Sequence, residues 1–534
     1  MVPAASTLTS LRRALDEATK KTRWTWGLVG LFIVAGLVLR LIMFRESAWG
    51  DELSTLWIIR GNDFFGVVTA VNSDAEISPP FYFLLAKVSS WIFGQTPDGV
   101  RLPSLIAGVL TVPAFYLVGL KALGRRAALY ATAIATVAPF LVYFSANARA
   151  YSVMILMLLV ATWCLLSATS DKGRLWHWIG WSVFGCLAVY SHYTACLAVA
   201  GQLIWALWLF PALRLKALAF AGLMLLLFLP WLGGFRNDLD SPTSDILQAI
   251  QGSGFEVKWA AVKDLFFLWI SASKPSFFER PDMLLALAGV LVATGAMVAA
   301  RVRGSLPKPS PDRLKGVWLA FLMVSTVFAA ELLLLAAGTD IFGARNLAPV
   351  WAALPLLIAA GAAAAGPRWG LVAVVLIAAG FSVTTARLLD PARSTIPYEK
   401  ASGTIESTSE AGGSIVDASI ISPAPLSPLD GYLDLDLREF RMTNLEDRPD
   451  FIEDIYRQYD PQKIADQAFD TAGPVRVVTI GDGRAPVPDG QGGHVFKVGF
   501  AEVRIPPGWR EQGRVRHEGL EPLTVTVFQR EGGQ

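Results

Sequence analysis

The chain has 534 residues, of which 53% are hydrophobic and only 17% charged, with a net charge of +2. An ordinary soluble domain carries ~25% charged residues, so the composition excludes a soluble enzyme and points to a multi-pass membrane protein. The net charge itself says nothing about nucleic acid, but no basic stretch interleaved with aromatics is present to bind it, and no nucleic-acid partner is expected.

In chain order, a basic segment (Arg12, Arg13, Lys20, Lys21, Arg23) precedes an apolar run from Trp26 to Phe44. That run is too long for a signal-peptide core, and no small-residue cleavage site follows it. It reads as an uncleaved first span after a cytoplasmic segment, residues 1–25. Further runs of spanning length fall at 101–120, 126–146, 150–170, 176–192, 194–211, 215–233, 281–300, 316–338, 346–366 and 368–388, about eleven spans in all. The basic turns at Arg125-Arg126, Lys172 to Arg174, Arg214 to Lys216, Arg301 to Lys315 and Arg368 then share the side of the N-terminus, the positive-inside pattern. Phe81 to Phe93 is too short to span, and a crossing there would invert the charge pattern. It is expected to lie in the outer interface, where Tyr82, Lys87 and Trp91 suit it. The three cysteines, Cys164, Cys186 and Cys196, all sit in apolar runs, which leaves no disulfide framework or CxxC zinc site.

Four segments then face outward. They are Arg45 to about Leu102, a short turn at Asn147 to Tyr151, Phe235 to Arg280 with a short helix near Trp259–Ile270, and the turn Thr339 to Asn346. His192 and Tyr193 sit at the outer end of their span. After Leu389 the chain turns polar. Odd-span parity puts this tail, residues 390–534, outside. β-like runs at Ser414–Ile421, Val475–Ile480, Val495–Ile505 and Leu523–Gln529 alternate with helix-like stretches at Tyr398–Glu410 and Phe451–Phe469, which predicts a small α/β domain. Asp434 through Asp460 is acid-rich and reads as a solvated face, since EF-hand spacing is missing.

The polar residues that could do chemistry gather at one membrane face, as expected of an enzyme working at a surface. Asp51 and Glu52, between Trp49 and Trp57, follow the first span. Sugar transfer to a hydroxyl needs a carboxylate to take the acceptor proton and a neutralising group for the departing phosphate. Partial desolvation by the tryptophans would raise the pKa of such a base. Arg149 runs against the positive-inside trend and needs a partner, either Asp51 or Glu52 or a lipid phosphate that a guanidinium grips bidentately. Arg345 repeats that argument. His192 and Tyr151 complete the outward polar set. Glu331, inside the span 316–338 about two turns below its outer end, is an intramembrane acid and by default a functional candidate. Lys87 and Lys274 are weaker cationic candidates. Walker A, GxGxxG, GxSxG and HExxH patterns are missing, so nucleotide chemistry is unsupported.

Together these residues resemble glycosyltransferase family 39, a group of bacterial GT-C membrane glycosyltransferases that includes relatives of protein O-mannosyltransferases and of the lipid A aminoarabinose transferase. The resemblance rests on Trp49-Gly-Asp-Glu52, Ile77-Ser-Pro-Pro-Phe-Tyr82, Arg101-Leu-Pro-Ser104 with Gly108, Pro139 through Arg149-Ala-Tyr151, Ser191-His-Tyr193, Pro230-Trp231 and Gly343-Ala-Arg345-Asn346, in order over residues 25–390. It implies a mainly α, GT-C-type helix bundle (residues 26–389) in the bacterial inner membrane, with its active site on the extracytoplasmic face. The implied donor is a polyprenyl-phosphate-linked sugar, and the acceptor a glycan, lipid or protein. By this pattern Asp51 is the base, Glu52 its support, and Arg149 and Arg345 phosphate-facing; Tyr82 belongs to a matched segment. Ser78 replaces the family's His before the two prolines, Pro79 stands where the aminoarabinose transferases have Lys, and Asn346 follows Arg345 in place of Tyr. A divalent metal at Asp51 and Glu52 is left open, with no full ligand set visible. An oligosaccharide ligase, a lipid A modifier and a lipid-linked-sugar flippase are the rival readings.

Overall fold

The computed structural model describes residues 4–45, 47–48, 51–72, 76–241, 254–267, 280–305, 309–390, 395–409, 413–420, 427–433, 438–443, 461–481, 483–498 and 501–531. Trp49, Asp74, Lys274 and most of the acid-rich 434–460 stretch lie outside them.

Every apolar run singled out in the sequence is helical. Among the described residues seven helices are long and apolar enough to cross a membrane: Arg23–Phe44, Pro97–Ala122, Tyr151–Ala168, Pro211–Asp240, Pro281–Val302, Pro311–Ala336 and Pro367–Leu388. The expected count of about eleven is not established. The other four runs form shorter helices: Arg125–Val137 followed by Pro139–Tyr143, Leu175–Ser191, Ala195–Leu209, and Leu354–Ala364 after a 3-10 turn at Ala348–Ala352. Proline explains one shortfall. Pro139 has no N–H to offer the carbonyl of Ala135, so the run 126–146 breaks there. The freed carbonyls find donors on other helices. Arg40, fully buried in the first span, reaches Thr136 O at 3.4 Å and Ala135 O at 3.5 Å, and Thr385 Oγ1 donates to Val137 O at 2.8 Å.

Phe81–Phe93 is a separate 13-residue helix, shorter than a span. It lies against two more short helices, Asp51–Ile59 and Phe64–Val71. Lys87 is not an exposed cation; it is buried, its Nζ donating to Ile59 O at 3.0 Å where the Asp51–Ile59 helix ends. Asp63 caps the Phe64–Val71 helix by accepting from Gly66 N at 2.6 Å. The expected helix near 259–270 is Phe255–Phe267.

The tail is α/β. Strands β1 (Ser414–Ile420), β2 (Arg438–Thr443), β3 (Val475–Ile480), β7 (Trp509–His517) and β8 (Leu523–Arg530) form one sheet in the order β2-β1-β3-β8-β7. The β2, β1 and β3 strands are parallel, while β8 runs antiparallel to both β3 and β7. A second sheet holds β4 (Val487–Pro488), β5 (His494–Val498) and β6 (Ala501–Ile505). The single run expected at 495–505 is therefore a hairpin. Helices Tyr398–Ser407 and Pro461–Ala468 pack on the sheets. The tail docks on the end of the bundle that carries Asp51: Glu399 N donates to Ser47 Oγ at 3.3 Å, and Ala48 N donates to the Tyr432 hydroxyl.

Candidate active site

The site is built on the Asp51–Ile59 helix. Two carboxylates in its first turn favour helix initiation through the helix dipole. Successive residues on a helix point about 100° apart, and the two side chains go separate ways. Glu52 turns inward. Its oxygens accept from Arg101 Nε and Nη2, each at 2.7 Å, and Oε1 also accepts from Ala148 N at 2.7 Å. Both partners are buried, with side chains 3% and 5% exposed. One turn on, Thr55 Oγ1 donates to Ala148 O at 2.8 Å. A single helix face thus grips both ends of the Ala148 peptide, and Ser104 Oγ holds Arg149 O at 2.9 Å.

That grip fixes Arg149. Its guanidinium forks onto Glu76, with Nη1 to Oε2 at 2.7 Å and Nη2 to Oε1 at 3.3 Å, and Nη1 also lies 3.4 Å from Asp51 O. The carboxylate partner expected from Asp51 or Glu52 is therefore Glu76. Glu76 also accepts from Ser78 Oγ at 2.8 Å, so the serine in the family's histidine position has a defined task.

Asp51 turns outward and pairs with Arg345, delivered by the turn after the Pro311–Ala336 helix. Their side chains are 43% and 61% exposed, against 5% for Glu76 and Glu52. The turn carrying Arg345 is itself tethered. Lys258 of the Phe255–Phe267 helix donates to Asp340 Oδ1 at 2.6 Å and to Phe342 O at 3.3 Å. Burial works to raise the Asp51 pKa, but Arg345 and Arg149 outweigh it and hold the carboxyl below its ordinary value. The raised value expected from nearby tryptophans is thus not found.

A small cleft beside this cluster is lined by Ser78, Tyr82, Phe83, Arg149, Ala150, Tyr151 and His192. The Tyr151 and His192 rings meet at a tilt of 39°, 5.4 Å between centroids. His192 Nδ1 is 2.8 Å from Thr194 Oγ1. The Tyr82 ring reaches the cleft, but its hydroxyl is spent inside the protein on Val100 O at 2.9 Å and Ser104 Oγ at 3.1 Å. Glu331 stands apart: fully buried in the Pro311–Ala336 helix, it lies by the Gly343 backbone and forms no ion pair among the described residues. Glu52 spends both oxygens on Arg101 and one also on Ala148 N, so a divalent ion shared with Asp51 would have to displace that buried pair. Among the described residues no group of three His, Cys, Asp or Glu is placed to hold a metal.

Sequence reasoning missed Glu76 as a site residue. The signal available was an outward Arg in need of a carboxylate and a Glu two residues before the Ser-Pro-Pro turn.

Residues 78–233 match the family model described as dolichyl-phosphate-mannose-protein mannosyltransferase. A Bacillus subtilis (strain 168) protein named as a candidate mannosyltransferase, YkcB, is 28% identical over 115 residues, which is 22% of this chain and 16% of that protein. The match therefore spans a small part of that relative. The fold is that of ArnT from Cupriavidus metallidurans, solved bound to undecaprenyl phosphate, at a TM-score of 0.53 and 15% identity over 91% of this chain and 98% of that one. The matched segment contains Ser78, Tyr82, Arg101, Arg149 and His192, and the fold is of the GT-C type.

Proposed function

We propose that the chain transfers a sugar from a polyprenyl-phosphate donor to an acceptor hydroxyl at the extracytoplasmic face of the bacterial inner membrane. In this reading residues 26–389 hold the catalytic machinery, with a cytoplasmic segment before them and an extracytoplasmic domain after. The observation that carries it is the open Asp51–Arg345 pair. Of the three carboxylates at the cluster, Glu52 and Glu76 are sealed onto Arg101 and Arg149, and Asp51 alone keeps a solvent-facing side.

A carboxylate held by an arginine is a weak base. An incoming donor phosphate competes for Arg345, and as that guanidinium turns to the phosphate, Asp51 loses the charge that depresses its basicity. The acceptor oxygen then bonds to the anomeric carbon from the face opposite the phosphate, and its proton passes to Asp51. The bond between anomeric carbon and phosphate oxygen breaks with its electron pair, leaving a polyprenyl phosphate held by Arg345 and Arg149. Inversion follows from the single displacement. Glu52 never meets substrate here; it holds the helix that presents Asp51. The cleft with Tyr151 and His192 takes the phosphate or the sugar. Undecaprenyl phosphate, named in the ArnT structure, is the carrier proposed.

The test is mass spectrometry of the lipid that co-purifies, followed by proteoliposome assays with undecaprenyl phosphate carrying mannose, glucose, arabinofuranose or aminoarabinose and candidate glycan, lipid and protein acceptors. A glycosidic product from at least one donor is expected. Movement of labelled lipid across the bilayer without any such product would replace this reading with a flippase.

A further inference from the structure

Among the described residues the C-terminal domain meets the bundle near Asp51 at two places, Glu399 on Ser47 and the stretch 427–433. At the end of the central strand β1, the buried Asp417 carboxylate accepts from Ser419 N at 2.9 Å and from the hydroxyls of Ser419 and Ser427. Ser427 in turn accepts from Leu429 N at 3.1 Å, opening the 3-10 turn Leu429–Gly431. Leu429 is fully buried among residues of the sheet and of the Tyr398–Ser407 helix. The turn then leaves the domain and lies on the bundle. A Cβ on Gly431 would stand 3.4 Å from Pro97 Cγ, 3.7 Å from Leu56 Cδ2 and 3.9 Å from Leu53 Cδ2, so the chain runs in contact with the Asp51–Ile59 helix and the start of the Pro97–Ala122 helix. Tyr432 follows. Its hydroxyl accepts from Ala48 N, three residues before Asp51, and its phenol lies close enough to Arg101 and Glu52 to feel both charges.

We infer that the segment 427–433 is a positioning element for the acidic pair, acting through Tyr432 on the backbone at Ala48 and through Gly431 against the Asp51–Ile59 helix. This rests on the reading of Asp51 as the base. The link is contiguous: sheet, Asp417, Ser427, the 3-10 turn, Tyr432, then both flanks of the helix that presents Asp51. A domain that merely covered the bundle would need apolar contact; this one places a polar atom on the backbone entering the catalytic helix. An acceptor bound on the C-terminal domain would therefore act on the orientation of Asp51, and the domain belongs to the catalytic apparatus without contributing a group that touches the donor.

The test uses the full chain in lipid nanodiscs, with mannosyl-phosphoryl-undecaprenol as donor probe and undecaprenyl phosphate as binding probe. Tyr432→Phe keeps the ring and removes the acceptor for Ala48 N–H; Ser427→Ala cuts the link one step earlier. Each is expected to lower kcat about 5-fold, the worth of one net hydrogen bond, with donor KM and undecaprenyl phosphate affinity unchanged. Amide exchange should rise across residues 51–59 and stay as in the wild type in the strands. Unchanged kcat and unchanged exchange in both variants would overturn the inference. So would donor KM rising in step with the fall in kcat, or exchange rising everywhere, since those mark general loosening. If the wild type does not turn this donor over, exchange across 51–59 decides alone. Asp51→Asn assayed alongside separates the two readings: an active Asp51→Asn sinks the base assignment, while an inactive one beside an unaltered Tyr432→Phe sinks only the positioning role.

Discussion

Asp51 and Glu52 are neighbours in the chain and strangers in the structure. Glu52 meets Arg101 in a pocket where both side chains are at most 5% exposed, with a backbone N–H filling a further acceptor site. Asp51 meets Arg345 where both side chains are about half exposed. The first pair is closed: every partner it has belongs to the protein, and breaking it strands a buried charge. The second is open: water, a phosphate or an acceptor hydroxyl can compete for either partner at low cost. One is suited to holding a helix in place, the other to changing partners during a reaction.

The comparison breaks if the two pairs respond alike to mutation. Glu52→Gln should be the more damaging to the fold, costing about 3–5 kcal/mol because Arg101 is left buried without its counter-charge; thermal or denaturant unfolding in detergent measures it. Arg345→Ala should leave unfolding nearly unchanged, the pair being exposed, and lower turnover about 10²-fold through loss of a phosphate donor. It should also shift the pH profile in a defined sense. The Asp51 pKa is depressed in the folded protein, so the ion pair's contribution is present above the ordinary carboxylate value and is lost as pH falls through the folded one. Without Arg345 the Asp51 pKa rises, and the acid limb of the pH–rate profile should move to higher pH. Gly108→Ala sharpens the picture at the other side of the closed pair. A Cβ there would stand 2.2 Å from Ser145 Cβ, so the turn leading to Ala148 and Arg149 must shift. A loss of about 1–3 kcal/mol is expected from such overpacking, with turnover falling because Arg149 moves.

The helices of residues 26–389 were legible because long apolar runs are strong, local signals. Arg149 and Arg345 were legible as charges that needed partners and Asp51 as a candidate base, and the structure brings all three together. Which partner each takes was not legible, since Glu76 and Arg149, or Asp51 and Arg345, are joined only by tertiary packing. Nor could the opposite fates of Asp51 and Glu52 be read without knowing that a helix begins at Asp51. In the tail, β7 escaped notice because Arg510, Glu511, Arg514 and Arg516 hide its alternation. It is an edge strand, where charge protects against stray pairing. The hairpin of β5 and β6 was read as one run because the sequence from Val495 to Ile505 is rich in apolar and β-branched residues, with little to mark a turn.

The central claim is that Asp51 and a donor phosphate compete for Arg345 and that Asp51 then takes the acceptor proton. Binding of undecaprenyl phosphate and turnover of a lipid-linked sugar, measured together on Asp51→Asn, test it most directly. The account predicts a folded protein with no turnover that binds undecaprenyl phosphate at least as tightly as the wild type, because Arg345 is no longer shared. Retained turnover, or binding weakened to the level of Arg345→Ala, would contradict it.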